Sequence, residues 1–207
     1  APRQRSEIIV GKSRRRQNSK LDQDVWIGWS FYNASATSLP FLGAVFGQWK
    51  VNRDRNGGYP IIFFKTQRQP QYHRSRRGND NVFAQLADMQ VKGGLDGKAN
   101  SWGNVCSLFN LDQVRGRWID IVINTNFGTT ENGYLRIWVN DKLKCDYRGK
   151  IVASRKIDFG GADHRRGLYW SNTKYFDENI GGTKPTMVVY YDEFRVGPTR
   201  QQVDVKM

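Results

Sequence analysis

The chain has 207 residues, the size of a single domain (1–207) with a substantial hydrophobic core. Lys and Arg total 33 against 19 Asp and Glu, which gives a formal net charge of +14. Such an excess predicts an anionic partner: nucleic acid, acidic lipid or acidic polysaccharide. No apolar run approaches the roughly 20 residues of a membrane-spanning helix, so we expect no membrane partner. No secretory signal is recognisable, so we expect a processed or trimmed chain.

Nearly every patterned segment alternates between apolar and polar residues, as strands do. In chain order, strands are predicted at 24–33, 42–51, 60–66, 81–91, 104–110, 117–127, 133–139, 142–147, 163–172 and 187–196. The last of them is expected to carry these residues on one side: Val188, Tyr190, Phe194 and Val196. Asn140 and Asp141 between two of them form a hairpin signal. No helical period is sustained. About a dozen short strands separated by Gly, Asn and Pro turns predict an all-β jelly roll of two packed antiparallel sheets.

One stretch, 163–172, carries an unusual polar face. Alternation places these residues on one side of it: Arg165, Gly167, Tyr169 and Ser171. A strand-like stretch near the start likewise groups Arg3, Arg5 and Glu7, and a central one groups Phe46, Gln48 and Lys50. If these three faces converge on one concave sheet, they form a cationic site with a phenol at its centre.

Two basic runs, 12–16 and 73–77, have three readings. In isolation they look like nucleic-acid patches, and they are equally consistent with solvated loops. A third reading is that their arginines bind sulfate or carboxylate groups along a polymer, because the guanidinium binds oxyanions in a bidentate manner. The runs contain few aromatic residues, so we expect no nucleic-acid partner.

The two cysteines, Cys106 and Cys145, lie in separate strand-like segments. The sequence leaves open whether they are free thiols or form one disulfide, which would suit a secreted protein. We expect a secreted, extracellular protein that is a monomer.

The chain has two histidines, His73 and His164, and no ligand-type spacing, so no zinc site is predicted. Asp158 and Asp192 lie near glycine-rich turns and leave a structural calcium open, although no loop has the full ligand pattern. The chemistry that we infer below requires no cofactor.

Three short motifs carry a resemblance to a known family. They are Arg-Ser-Glu at 5–7, Gln-Trp-Lys at 48–50 and Gly-Leu-Tyr-Trp-Ser-Asn at 167–172. Together with the segments 115–120, 138–142 and 189–197, they resemble the small jelly-roll polysaccharide lyases that act on alginate, heparin and glucuronan. In that family the motifs bring an arginine, a Gln-x-His and a Lys-x-x-x-Tyr. The corresponding residues of this chain are Arg5, Gln48 with Lys50, and Arg165 with Tyr169.

Lys50 stands where those relatives have histidine, and this departure narrows the resemblance. An arginine, a lysine and a tyrosine in this order look like the ulvan lyases of the jelly-roll type (polysaccharide lyase family 28). The resemblance implies β-elimination in a sulfated polymer of rhamnose 3-sulfate and uronic acid, which leaves an unsaturated uronate end. Glucuronan, a heparin-like polymer and alginate are the alternative substrates.

The resemblance also implies roles for the catalytic residues. Arg5 and Lys50 would stabilise the charge that develops on the uronate carboxylate, with Gln48 as a neutral donor. Tyr169 would remove the C5 proton and protonate the leaving oxygen. A free tyrosine has a pKa near 10, so cations must stabilise the phenolate, and we expect activity to be highest on the alkaline side of neutral.

Five further residues are expected to contact substrate: Arg165, Asn172, Tyr59, His73 and Arg74. The first rival interpretation is a non-catalytic module that binds acidic polysaccharide, since lectin-like jelly rolls share the sandwich and the aromatic residues. A glycoside hydrolase would need two carboxylates across a cleft, and no such pairing lies on a predicted strand.

Overall fold

The computed structural model of the chain describes residues 4–10, 19–51, 59–66, 80–87, 103–153, 161–171 and 173–206. Within these ranges the chain forms eleven strands: β1 (Gln4–Val10), β2 (Val25–Asn33), β3 (Gly43–Val51), β4 (Tyr59–Thr66), β5 (Val82–Leu86), β6 (Asn104–Phe109), β7 (Trp118–Thr125), β8 (Tyr134–Val139), β9 (Lys142–Arg148), β10 (Ala162–Ser171) and β11 (Val189–Gly197). Two short helices, α1 (Thr173–Asn179) and α2 (Arg200–Val203), were not anticipated. Neither helix is long or apolar enough to cross a membrane.

The strands form two packed antiparallel sheets, and the predicted all-β jelly roll is confirmed. One sheet has six strands in the order β1-β10-β3-β4-β5-β6, and the other has five in the order β11-β2-β7-β8-β9. The predicted hairpin is present: Val139 pairs with Lys142, and Asn140 and Asp141 have φ of 47° and 63°. Both values lie in the left-handed region that a two-residue turn of this kind requires.

Aromatic side chains fill the space between the sheets. Trp49 is 1% exposed, and its ring lies 5.2 Å from that of Phe64. Phe64 in turn lies 5.7 Å from Trp29, across the interface between the sheets. Such ring pairs add about 0.5–1.5 kcal/mol each to the stabilisation from burial. The core therefore fixes β3, which carries Gln48 and Lys50 on its other face.

Irregularities in β3 correct one prediction. Phe46 was expected to share a face with Gln48 and Lys50, but its ring packs in the core at 5.8 Å from Phe31. The pairing of β3 with β4 shifts register between Val45 and Gly47. A shift of this kind reverses the alternation of side chains. Phe46 and Trp49 therefore both face the core, while Gln48 and Lys50 face away from it.

A second irregularity changes the predicted face of β11. Val188, Tyr190, Phe194 and Val196 were expected on one side, but the pairing with β2 shifts between Asp192 and Arg195. Tyr190 is 54% exposed, whereas Phe194 packs against the core. The shift again explains the change of side.

A disulfide joins the two sheets at one edge. Cys106 of β6 and Cys145 of β9 are bonded, with their Cα atoms 5.3 Å apart. Each of these strands is the last of its sheet. The bond therefore closes one side of the sandwich covalently and answers the question that the sequence left open.

Replacing both cysteines by alanine should lower the free energy of unfolding by about 2–4 kcal/mol, because the bond closes a loop of 39 positions in the unfolded chain. Urea unfolding of the two proteins measures the difference. The double variant, which has no bond to break, serves as the control and should not respond to a thiol reductant. Equal stability of the two oxidised proteins would contradict the prediction.

Candidate active site

The strand β10 is the centre of the candidate site, because it pairs with both β1 and β3. Arg5 of β1 lies directly opposite Tyr169 of β10, and Lys50 of β3 lies opposite Asp163 of β10. Directly opposed residues of an antiparallel pair have Cβ atoms about 4.5–5.5 Å apart. The structure thus brings Arg5, Lys50 and Tyr169 to one face of three adjacent strands. Their catalytic roles remain predictions.

The two other predicted polar residues of this face lie beside each other. Gln48 is directly opposite Arg165, and both are buried, at 3% and 9% exposure. The Nη2 atom of Arg165 lies 3.4 Å from Oδ2 of Asp163, whose side chain is fully buried. Arg165 is therefore held in place from its own strand, with its charge partly offset.

A carboxylate that the sequence placed on this face proves to be its most central acid. The Nε2 atom of Gln48 donates a hydrogen bond to Oε1 of Glu7. Oε2 of Glu7 lies 3.9 Å from Nη1 of Arg5, and the Glu7 side chain is only 6% exposed. The alternation of residues 3–7 indicated the position of Glu7. It did not indicate a bond to a residue on β3, which is two strands away.

Gly167 allows this close arrangement. It lies opposite Glu7, with φ of +136°, a value that side chains rarely adopt. A Cβ atom there would lie 2.1 Å from the backbone oxygen of Ser6 and 2.6 Å from the Cα of Glu7. A side chain at this position would therefore collide with the backbone of β1.

Electrostatics at Lys50 reflect this crowding. Burial lowers the pKa of Lys50, and the nearby charges of Arg165 and Arg5 lower it further. Glu7, and to a smaller extent Asp163, act in the opposite direction. The face thus carries three cations and two carboxylates, and the half-buried ammonium of Lys50 lies among all of them.

The opposite side of β10 faces the interior and holds His164 rigidly. Nε1 of Trp49 donates a hydrogen bond of 2.9 Å to Nδ1 of His164, and Nε2 of His164 lies 2.9 Å from Oγ of Ser19. Because the indole can only donate, Nδ1 is the acceptor, and the proton of the neutral ring is on Nε2. Burial lowers the pKa of His164 to about 3.

Arg166 is a second buried ionisable group beneath the site. Its guanidinium carbon lies 3.9 Å from the ring centroid of Trp29, 4.6 Å from Trp49 and 4.8 Å from Phe194. Nη1 donates a hydrogen bond of 2.7 Å to the backbone oxygen of Arg165. Burial lowers the pKa of Arg166 to about 9. Contacts of a desolvated cation with aromatic faces contribute up to about 2 kcal/mol each.

Tyr191 completes this internal support. Its hydroxyl lies 2.6 Å from the backbone oxygen of Phe46 and 3.1 Å from that of Gly167. It therefore ties β11 to β3 and β10 at the two places where their regular pairing is interrupted. Burial raises the pKa of this phenol. Tyr191 lies inside the sandwich, and Tyr190 lies on the solvent side of the five-stranded sheet. Neither therefore belongs to the candidate site.

The polar face continues onto β4 with two residues that sequence reasoning did not single out. Phe63 pairs with Gln48, and Lys65 pairs with Val45. Nζ of Lys65 lies 5.4 Å from the ring centroid of Phe63. The alternation of 60–66 already placed these two residues on one face, and that was the available signal. An aromatic ring beside a cation extends the face in the direction of β5.

A cavity of about 540 Å³ adjoins the site on the far side of β1. Its walls come from β1, from the end of β10 and from the segment 183–187, and Arg5 is among them. Tyr169 and Lys50 do not line it. We place the candidate site on the open face rather than in this cavity, because the convergent charges lie on that face.

Several predicted contacts fall outside the described residues. They are Asn172, His73 and Arg74, together with the two basic runs and Asp158. Tyr59 begins β4 opposite Val51, but its side chain is also outside the description. Among the residues that are described, no three His, Cys, Asp or Glu side chains cluster as metal ligands would. Asp192 accepts a hydrogen bond from the backbone N–H of Glu193.

Comparison with known proteins gives a family and a fold. The family model described as polysaccharide lyase matches residues 2–195. An endo-β-1,4-glucuronan lyase from the fungus Trichoderma reesei is similar in structure, with a TM-score of 0.64 and 19% identity over 98% of this chain and 78% of that one. An alginate lyase from Pseudomonas aeruginosa has a TM-score of 0.51 and 16% identity, over 93% of this chain and 73% of that one. A double mutant of the alginate lyase Aly36B, solved with an alginate tetrasaccharide, has a TM-score of 0.54 and 12% identity, over 95% of this chain and 74% of that one.

At these identities the structural likeness establishes the jelly-roll fold alone. None of the curated proteins matches the sequence.

Replacing His164 by glutamine should make stability less sensitive to acid. The folded protein keeps His164 neutral down to about pH 3, whereas the unfolded chain binds a proton near the ordinary pKa of 6.5. Its contribution to stability is therefore complete above pH 6.5 and is lost as the pH falls towards 3. The difference in free energy of unfolding between wild type and variant should shrink by about 1.4 kcal/mol per pH unit below 6.5. Urea unfolding from pH 7 to 4.5 measures it, and a constant difference would rule out this linkage.

Proposed function

This chain belongs to the polysaccharide lyase family, and on that premise we propose that it cleaves a uronic-acid polymer by β-elimination. The observation that carries the proposal is the position of Arg5 directly opposite Tyr169, with Lys50 on the same face. The structural relatives named above act on glucuronan and on alginate, and both are uronate polymers. Their likeness supports the class of substrate.

The cations have a defined task in this reaction. The C5–H bond beside an ionised carboxylate is weakly acidic, because its removal places a second negative charge on the same group. Arg5 and Lys50 stabilise that charge, and Lys50 does so from a half-buried position, where electrostatic interactions are stronger than in water. Gln48 adds a neutral donor, and its amide is already held by a hydrogen bond to Glu7.

Tyr169 transfers the proton. As phenolate it takes the C5 hydrogen, and the electron pair of the C5–H bond forms the C4–C5 double bond as the bond from C4 to the leaving oxygen breaks. The phenol then gives its proton to that oxygen, so that atoms and charge balance without a cofactor. Arg5 lies directly across the strand pair from this tyrosine.

The substrate that we propose within this class is ulvan, cut between rhamnose 3-sulfate and a uronic acid. Lys50 at the position of the family histidine supports ulvan, and the net charge of +14 suits a sulfated polymer. Arg165, Asn172, Tyr59, His73 and Arg74 are the proposed substrate contacts. The disulfide supports an extracellular location, since such bonds persist in oxidising compartments.

Replacing Tyr169 by phenylalanine should lower kcat by about 10²–10⁴-fold, the usual contribution of a general acid–base group. The affinity for the polymer should change little, because only the hydroxyl is lost. The absorbance of the unsaturated uronate product measures the rate. Tyr190→Phe is the matched control, since Tyr190 lies exposed on the other sheet, and it should keep the wild-type rate. Full activity of Tyr169→Phe would refute the assignment.

A panel of ulvan, glucuronan, heparin and alginate tests the substrate, with the same absorbance as the readout. We expect the highest kcat/KM on ulvan, because desulfated or unsulfated polymers leave part of the positive charge unpaired. A higher value on glucuronan or alginate would refute ulvan and leave the elimination chemistry intact. Binding of the polymers with no new absorbance would instead identify a non-catalytic module.

A further inference from the structure

Glu7 is an acid at the centre of a site that has to bind an acid. A carboxylate there opposes binding of the uronate, yet its side chain is almost fully buried beside Arg5. Oε2 of Glu7 has no hydrogen-bond partner among the described residues and is closed to solvent. Burying an incompletely satisfied carboxylate is costly, so its presence calls for an explanation in terms of its neighbours.

The first neighbour is Gln48, two strands away in the same sheet. Its Nε2–H bond to Oε1 of Glu7 passes over β10 at Gly167, where no side chain intervenes. A glutamine amide rotates freely unless a partner fixes it. The bond therefore fixes the orientation of the Gln48 amide.

The second neighbour is Lys50, which lies in a surrounding that disfavours its charge. Among the described residues, the charged groups that act on it are Arg165 and Asp163 from β10 and Arg5 and Glu7 from β1. Asp163 is already engaged with Arg165 at 3.4 Å. Pro60, which faces Lys50 from β4, carries no charge. Glu7 is thus the principal acid that opposes the repulsion between the cations.

We propose that Glu7 is a positioning residue of the reaction, which fixes the amide of Gln48 and keeps the ammonium of Lys50 charged until the substrate carboxylate arrives. The inference rests on the proposed elimination chemistry. In this role Glu7 touches neither the reacting atoms nor the substrate, and it acts only through Gln48 and Lys50. A purely structural role, such as holding β1 on β10, would give no dependence on the charge of Lys50.

Two variants separate the parts of this role. Glu7→Gln keeps an oxygen that accepts the bond from Gln48 but removes the charge. Because Glu7 raises the pKa of Lys50, its loss should let Lys50 release its proton at lower pH. The alkaline limb of the pH profile of kcat/KM, where activity falls as the pH rises, should then move to lower pH. Glu7→Asp keeps the charge but is too short to reach Gln48, and it should lower kcat/KM about tenfold, as the loss of one hydrogen bond does, with the limb unmoved.

The direct measurement is an NMR titration of the Lys50 side chain in wild type and Glu7→Gln, with Lys50→Arg to assign the signal. Glu178→Gln is the matched control, since it makes the same change on the exposed face of α1, and it should leave the titration unchanged. The kinetic measurement repeats Glu7→Gln in the Lys50→Arg background. Arginine keeps its charge throughout, so no shift of the limb should remain there.

The outcomes are distinct. Titration of Lys50 at the same pH in wild type and Glu7→Gln would overturn the inference, as would an equal shift of the limb in the Lys50→Arg background. If Glu7→Gln does not fold, full kcat/KM in Glu7→Asp would overturn the link to Gln48, and a tenfold loss with an unmoved limb would support it. A wild type without lyase activity on any polymer would refute the proposed function, while the NMR titration would still decide the role of Glu7 towards Lys50.

Discussion

Repulsion between the cations on one face of a sheet is the constraint on which the candidate site depends. Arg5, Lys50 and Arg165 lie on three adjacent strands, and Lys50 is disfavoured in its charged form by burial and by both arginines. A charge removed from water without compensation costs several kcal/mol. Glu7 and Asp163 supply the compensation from within the sheet. The face thus contains its own counterions. A bound substrate carboxylate adds a third negative charge to a face that already carries three positive and two negative charges.

Support for this arrangement comes from the other side of β10. Its inward residues are fixed by contacts with both sheets: His164 between Trp49 and Ser19, and Arg166 among three aromatic rings. Catalytic groups need positions that are fixed to a fraction of an ångström, and rigid strands packed on a dense core provide them. The charged face and the aromatic core are in this way two sides of one strand.

The sequence predicted the fold class and the side of its own strand on which each of Arg5, Lys50 and Tyr169 lies, because alternation along a strand is a geometric property that needs no tertiary information. It failed for Phe46 and Phe194, since a register shift reverses the alternation. Gly47, at the shift in β3, was the available signal for the first of them, because an isolated glycine inside a strand often marks a bulge. It did not predict that Arg166 is buried, because three rings from different strands make that possible. The Glu7–Gln48 hydrogen bond was not predicted either, because it depends on the order of strands in the sheet.

The position of β1 at the edge of its sheet has a consequence for biosynthesis. β1 precedes every other strand in the sequence, yet its partner β10 follows nearly all of them. During translation the segment with Arg5 and Glu7 must therefore wait without a hydrogen-bonded neighbour while most of the sandwich emerges, since contacts this distant along the chain form late. Competence for catalysis is then among the last properties that the nascent protein acquires, after its core has already closed.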